Sequence, residues 1–204
     1  MPDAGAHYDK FSRRYDLAAL VLRRFQRQAV AALRLRPGDL VYDLGCGTGL
    51  LLEHLVAAVG PTGRVVGIDL SEGMLERARA RVAGAGWDNV ELVRADLTKY
   101  LPDERADSAI FCLSLSVIPV YEEVLAASVK LVKPGHRMVV ADSWKCHGRW
   151  YHPLANWFID RKAPWVSANP NNEVGACAAR YLKEVTYKET MFGVYSIAAG
   201  ICEG

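Results

Sequence analysis

The five cysteines of this 204-residue chain, Cys46, Cys112, Cys146, Cys177 and Cys202, are odd in number, scattered, and never spaced as C-x-x-C. That excludes a disulfide framework and a cysteine-based zinc site, and it suits a reducing compartment. Charge of one sign is also lacking: 25 Lys and Arg against 23 Asp and Glu leave +2, too little to argue for nucleic acid as a partner. No apolar run approaches the roughly 20 residues of a membrane span. Asp3, His7 and Asp9 stand where a signal peptide needs an apolar core. There is no internal repeat, and no low-complexity linker divides the chain. What is left is 51% hydrophobic and 24% charged, the balance of a globular domain with a sizeable core. The expectation is one domain over residues 1–204, cytoplasmic, with no metal site.

What the chain does have is the stretch Val41-Tyr42-Asp43-Leu44-Gly45-Cys46-Gly47-Thr48-Gly49-Leu50. A short apolar run ends in an acid, and three alternating glycines follow before an apolar helical pattern opens at Leu50. This is a buried strand running through a tight turn into a helix. Glycine lets the turn take positive φ and lets a ligand lie against the backbone. The dinucleotide fingerprint is G-x-G-x-x-G, with a pyrophosphate on the helix N-terminus. Here the spacing is G-x-G-x-G with Asp43 just ahead, and a carboxylate there repels a pyrophosphate but pairs with an ammonium group. Val65-Val66-Gly67-Ile68-Asp69 gives a second strand ending in an acid, placed to accept from ribose hydroxyls. A third is Val90-Glu91-Leu92-Val93-Arg94-Ala95-Asp96, whose acid is placed for an adenine amino group. Acids on three successive strand ends describe a cationic amino-acid nucleoside rather than a phosphate.

Around these motifs the chain alternates. Residues 8–35 read as helical, with Leu17, Leu20, Val21, Phe25, Ala29 and Leu33 on one face. The arginines of that stretch are a solvated face or, on the sharper reading, a contact with an anionic surface. A helix runs from Leu50 to about Val59, and the next opens at Ser71 as N-cap and continues to Gly84. Ala106–Leu113 reads as the fourth strand, Tyr121–Val132 as a helix and Arg137–Asp142 as the fifth strand. Strands separated by helices mean an α/β fold with a parallel sheet. After Asp142 the rhythm breaks for about forty residues that hold Trp144, Trp150, Trp157 and Trp165. Glu184–Glu189 and Phe192–Ala199 then alternate as two further strands that could pair as a hairpin.

Asp43 to Gly49, Asp69, Asp96 and Leu131-Val132-Lys133-Pro134-Gly135 together resemble the motifs of class I S-adenosylmethionine (SAM)-dependent methyltransferases. The subgroup they most resemble is the ubiquinone/menaquinone-biosynthesis type, whose members often begin with a segment like Tyr8–Asp16. The resemblance covers residues 7–142 well and the remainder loosely. It implies a Rossmann-like, doubly wound, mostly parallel seven-stranded sheet with a C-terminal antiparallel hairpin. It also implies SAM as cofactor, an N-terminal helical lid over residues 1–36, and a helical acceptor cap over residues 143–183.

The cofactor carries a sulfonium that makes its methyl electrophilic, so the protein chiefly supplies in-line placement, worth roughly 7–11 kcal/mol of the barrier. On the resemblance, Asp43 meets the methionyl amine, and Gly45, Cys46, Gly47 and Gly49 bring backbone to the methionyl and ribose portions. Asp69 holds the ribose hydroxyls, Leu70 and Met74 flank the adenine, and Asp96 and Leu97 take its amino edge. Leu113 lies at the end of strand four, where cofactor meets acceptor. Tyr8 and Tyr15 belong to the lid, with Phe11 beside them. His147 and His152 are the candidate bases. The Asn/Asp-Pro-Pro-aromatic motif of DNA-amine methyltransferases is absent from Cys112–Pro119, which points away from nucleobases and toward a small-molecule or lipid acceptor. A quinone-like, phenolic or natural-product acceptor leads. Three alternatives stand: a phospholipid head-group N-methyltransferase with peripheral membrane contact, an aminocarboxypropyl transferase on the same cofactor, and a non-catalytic SAM-binding subunit.

Overall fold

The computed structural model describes residues 22–162, 169 and 171–203. Tyr8, Phe11, Tyr15 and Trp165, and with them most of the expected lid, lie outside the described residues. The elements run in the order α1 (22–33), β1 (Leu40–Leu44), α2 (Leu52–Val59), β2 (Arg64–Asp69), α3 (Glu72–Ala85), β3 (Val90–Arg94), β4 (Ala106–Cys112), α4 (Tyr121–Val129) and β5 (Val132–Asp142). They are followed by α5 (His152–Lys162), α6 (Val174–Tyr181), β6 (Leu182–Thr190) and β7 (Tyr195–Cys202).

The strands form one seven-stranded sheet in the order β3-β2-β1-β4-β5-β7-β6. The first five are parallel, while β7 runs antiparallel to both β5 and β6. The order reverses between β1 and β4, the switch point where ligands of open α/β sheets bind beyond the carboxyl ends of the strands. β1 is buried over its whole length, as a central strand covered on both faces must be. Its alternation sorts the core: Tyr42 and Leu44 face a cluster with Leu125 of α4 and Ala178 of α6, whereas Val41 faces one with Phe25 of α1 and Leu55 of α2.

Several boundaries differ from the sequence reading. Ser71 does cap α3, its hydroxyl accepting from the Met74 amide at 3.3 Å, but the helix passes Gly84 and stops at Gly86, which is left-handed with φ 66°. α4 ends at Val129 because Val132 already pairs with Ala106, and a register shift beyond that pair lengthens β5. β7 begins at Tyr195 rather than Phe192, since Met191 and Phe192 both take positive φ in a 3₁₀ turn. Within residues 143–183, α6 buries Val174, Cys177 and Ala178 against the sheet, which leaves α5 as the part standing at its carboxyl edge. The tryptophans of this segment divide. Trp144 is buried, with its indole where a Gly175 Cβ would be, whereas Trp150 and Trp157 are exposed.

Candidate functional site

Gly45, Gly47 and Gly49 all take positive φ, and each answers a different demand. A Cβ on Gly45 would lie 2.6 Å from that of Ser114, and one on Gly49 would lie 2.7 Å from Leu52 Cδ1 and 3.2 Å from Ala78 Cβ. Those two glycines let the turn sit tightly on the β4 exit and on α3. Among the described residues, a Cβ on Gly47 would meet nothing within 4 Å, so of the three its face is the open one.

Three amides of the turn are occupied. Gly45 and Cys46 both donate to the Ile68 carbonyl, at 2.8 and 3.0 Å, and Gly47 donates to Asp69 Oδ2 at 2.8 Å. A phosphate cradle needs such N–H groups free and pointing at the anion, and here they are spent within the protein. The other Asp69 oxygen accepts from the Ser71 amide at 2.9 Å, so one carboxylate joins β2, the glycine turn and the first turn of α3. Burial pushes the Asp69 carboxyl above its ordinary range, and the Ser71 and Gly47 amides pull it back.

Asp43 stands at the end of β1, 1% exposed, and its Oδ2 has no hydrogen-bond partner among the described residues. Burial, and then the charge of Asp69, push its carboxyl up to about 7. A buried carboxylate oxygen without a donor is costly. Beside a turn whose free face is Gly47, it fits an incoming ammonium. Cys46 turns its sulfur toward Gly67, 3.0 Å from where a Cβ would be, and burial keeps its thiol protonated. At this turn, then, Cys46 packs inward, its amide donating to Ile68 and its carbonyl accepting from Gly49 at 3.0 Å.

The other expected residues are spread along the same edge. Leu70 is 54% exposed, whereas Met74 and Leu97 are buried. Asp96 is exposed and spends Oδ1 on the amide and hydroxyl of Thr98, at 2.9 and 2.7 Å. Leu113 holds φ 58°, an uncommon conformation for a leucine and one that clusters at functional sites. His147 is exposed. His152 is 2% exposed with both ring nitrogens engaged: Nδ1 lies 3.2 Å from the Arg149 amide, and Nε2 lies 3.1 Å from Glu189 Oε2. As arranged, neither nitrogen of His152 is free to take a proton from a substrate, and the ring serves to tie α5 to β6.

Sequence reasoning passed over Asp142, Lys162 and Tyr195. Asp142 ends β5, fully buried, and accepts from the Ser116 hydroxyl at 2.8 Å, the Ser116 amide at 2.9 Å and the Ser143 amide at 2.7 Å. It is a fourth acid at a strand end, so the pattern that found Asp43 could have found it. Lys162 had no such signal.

The chain matches a family described as a methyltransferase domain over residues 41–135. It is 28% identical over 181 residues to a demethylmenaquinone methyltransferase of Symbiobacterium thermophilum, covering 80% of this chain and 72% of that protein. It is 33% identical over 142 residues to a ubiquinone/menaquinone biosynthesis C-methyltransferase of Pseudomonas fluorescens, covering 66% of this chain and 56% of that one. Among solved structures, a chain of the complex between the Haloferax volcanii Trm112 methyltransferase activator and a putative methyltransferase superposes with TM-score 0.80. It has 17% identity and covers 99% of this chain and 98% of that one. A SAM-dependent methyltransferase from Aquifex aeolicus gives TM-score 0.66 at 20% identity over 87% and 89% of the two chains. At these identities the two structures establish the fold.

Two predictions follow from the geometry of the turn. The first uses linkage: a folded-state pKa raised from 3.8 to about 7 makes Asp43 increasingly destabilising as pH rises to about 7, and constant beyond. Asp43→Asn should therefore raise the melting temperature of the ligand-free protein by about 2–6 °C at pH 8, with a gain that shrinks toward pH 4. A loss of stability at both pH values would show that Asp43 is satisfied. The second compares two substitutions by urea unfolding. Gly47→Ala should cost only its left-handed backbone, about 1–2 kcal/mol. Gly49→Ala adds overlap with Leu52 and Ala78 and should cost about 1–3 kcal/mol more. Equal costs would contradict the division of labour in the turn.

Proposed function

We propose that this class I SAM-dependent methyltransferase transfers the methyl group of SAM to a small aromatic acceptor of quinol or phenol type. The observation that carries the reading is a pair of carboxylates, the buried Asp43, one oxygen of which has no partner among the described residues, and the half-buried Asp69, around a glycine turn whose Gly45, Cys46 and Gly47 amides are already spent. That donor set suits a cationic amino-acid nucleoside and disfavours a phosphate. Asp43 pairs with the methionyl ammonium, and the open face of Gly47 lies along the ligand. Asp69 keeps its remaining lone pairs for the ribose hydroxyls while bracing the turn. Leu70 and Met74 flank the adenine, and Asp96 with Oδ2 and the Leu97 backbone meet its amino edge. Cys46, Gly45 and Gly49 shape the turn, and Leu113 borders the acceptor side. Tyr8 and Tyr15, in the lid proposed for residues 1–36, close over the site. SAM supplies the electrophilic methyl; the chain's part is to orient it and to exclude water.

The acceptor class is supported by the names of the Symbiobacterium and Pseudomonas relatives, both quinone-biosynthesis methyltransferases, although the chain spans little over half of the latter. The Cys112–Pro119 segment, which lacks the motif that binds nucleobase amines, agrees with that class. The reading routes no proton through His152, for the reasons of geometry above, and His147 has no partner to orient it among the described residues.

One observation favours a second acceptor. Trp150 at 90%, Leu154 at 61% and Phe192 at 81% exposure, with Trp157 and Phe158, leave a broad apolar surface at α5 and the β6–β7 turn. Arg149 and Arg161 lie on the same stretch. Aromatic side chains with flanking arginines suit a lipid interface, and among the described residues no helix is long and apolar enough to cross a membrane. A phospholipid head-group amine is therefore the alternative.

The discriminating experiment supplies methyl-labelled SAM with a naphthoquinol, a catechol, or phosphatidylethanolamine vesicles. Label in the aromatic product with equimolar S-adenosylhomocysteine is the expected result. Label in the lipid alone selects the second acceptor. Methylthioadenosine in place of S-adenosylhomocysteine means aminocarboxypropyl transfer, and binding without any turnover means a non-catalytic subunit. A linked prediction concerns pH. Pairing Asp43 with an ammonium lowers a carboxyl that stands at about 7 in the free protein, so SAM binding should strengthen as pH rises to about 7. Below that pH it should release a proton. Calorimetry at pH 6 in buffers of different ionisation enthalpy measures that proton, and its absence would remove Asp43 from the ammonium site.

A further inference from the structure

We propose that Lys162 is the acceptor-holding group of this site: its Nζ, set over the face of Tyr195 beside the buried end of β5, binds the oxygen of a phenol- or quinol-type acceptor as the anion. The inference rests on the acceptor reading above and names the residue that would enforce it.

Lys162 is the last residue of α5, and its Nζ lies 3.7 Å from the centroid of the Tyr195 ring. Among the described residues it has no carboxylate within salt-bridge distance, unlike Lys145, which pairs with Asp160 at 2.9 Å one turn away in the same region. Tyr195 is itself packed on Phe25 of α1, ring centroids 5.2 Å apart, so the ammonium sits on a fixed aromatic floor. Such a contact favours the cation without consuming its N–H donors.

The position relative to the cofactor turn can be traced contact by contact. Gly45 lies against Ser114, whose hydroxyl donates to the Leu44 carbonyl at 2.8 Å. Two residues on, Ser116 donates through both its amide and its hydroxyl to Asp142, and Asp142 is the acid whose charge acts on Lys162. β4 alone separates β1 from β5 in the sheet, a distance of roughly 10 Å. Lys162 thus stands on the acceptor side of the switch point, and the glycine turn stands on the cofactor side.

The electrostatics fit the role. Burial lowers the Lys162 ammonium to about 8, against a smaller opposing effect of Asp142. Among the described residues, the ionisable groups facing it are Asp142 from β5 and Tyr195 from β7. Asp142 already receives three hydrogen bonds, which oppose the upward push of its burial, so its oxygens are not waiting for the lysine. The Tyr195 phenol is pushed up by burial and by Asp142, and stays neutral in this range. A lysine with this balance either meets an acceptor anion as the ammonium or, when neutral, takes the proton of the acceptor O–H. Both routes end in the same ammonium–phenolate pair, with the proton on Nζ and the electron pair left on the acceptor for attack on the methyl carbon.

The test uses 4-nitrophenol as probe, added to the full chain in the presence of S-adenosylhomocysteine and followed by absorbance of the bound phenolate. The wild type should bind the anion with a bell-shaped pH dependence whose upper limb falls near 8, where Lys162 loses its proton. Lys162→Met should weaken that binding roughly tenfold or more, while S-adenosylhomocysteine affinity stays unchanged. Lys162→Arg, a permanent cation, should keep the binding and lose the upper limb. A methionine variant that binds nitrophenolate like the wild type overturns the proposal, and so does a wild type that binds S-adenosylhomocysteine but no phenolate. If the methionine variant fails to fold, the arginine variant decides, and an unchanged upper limb overturns the role. The two readings fail separately. Lysine-dependent phenolate binding without methyl transfer to any phenol or quinol sinks the acceptor assignment alone. Phenol methylation with kcat and KM unchanged in Lys162→Met sinks this one alone.

Discussion

One carboxylate holds the carboxyl edge of this sheet together. Asp69 accepts from Gly47 with one oxygen and from Ser71 with the other, so it fixes the glycine turn to β2 and starts α3 in a single stroke. Both hydrogen bonds are charge-assisted and partly buried, and bonds to a charged group are stronger than neutral ones. Because Gly47 is committed to Asp69, and Gly45 and Cys46 to Ile68, these three amides are not free to meet an anion. The same commitment leaves Asp43, one strand away, without a donor for Oδ2. The proposed preference of the site for positive charge rests on how the turn satisfies its own backbone.

The fold was legible where the sequence repeats a simple rule. Buried central strands are continuous apolar runs, and here each of the first two ends in an acid and is followed by a helix, so β1, β2 and their crossovers could be placed to within a residue or two. Ser71 was legible as a cap because a hydroxyl before a helical pattern has one obvious partner. The hairpin strands were legible as strands but misplaced at β7, because the positive φ of Met191 and Phe192 is set by the turn and leaves no mark on alternation.

The site was legible in the same uneven way. The acids and glycines of the cofactor turn could be found because they are local. The roles of its amides could not, since the bond from Gly47 to Asp69 spans 22 residues. The segment after β5 misled for a different reason. Trp144 is buried, but the large apolar residues on and just before α5, Trp150, Leu154, Trp157 and Phe158, face outward, while Ala155, Ile159 and His152 form the packed side of α5. Periodicity weighted by size therefore points to the wrong face, and Lys162 is found only once α5 is laid against Tyr195 and the end of β5.

Taken together, the sheet carries the proposed cationic-ligand site over β1 and β2 and the lysine–tyrosine corner over β5 and β7, joined by the Ser114–Ser116 turn at the end of β4. The account stands or falls on the first of these. Isothermal titration of the purified chain at pH 8 with SAM and, separately, with S-adenosylhomocysteine tests it most directly. The account predicts saturable binding of both at roughly micromolar affinity. Absence of heat with either ligand, from a chain whose circular dichroism shows it folded, would contradict it.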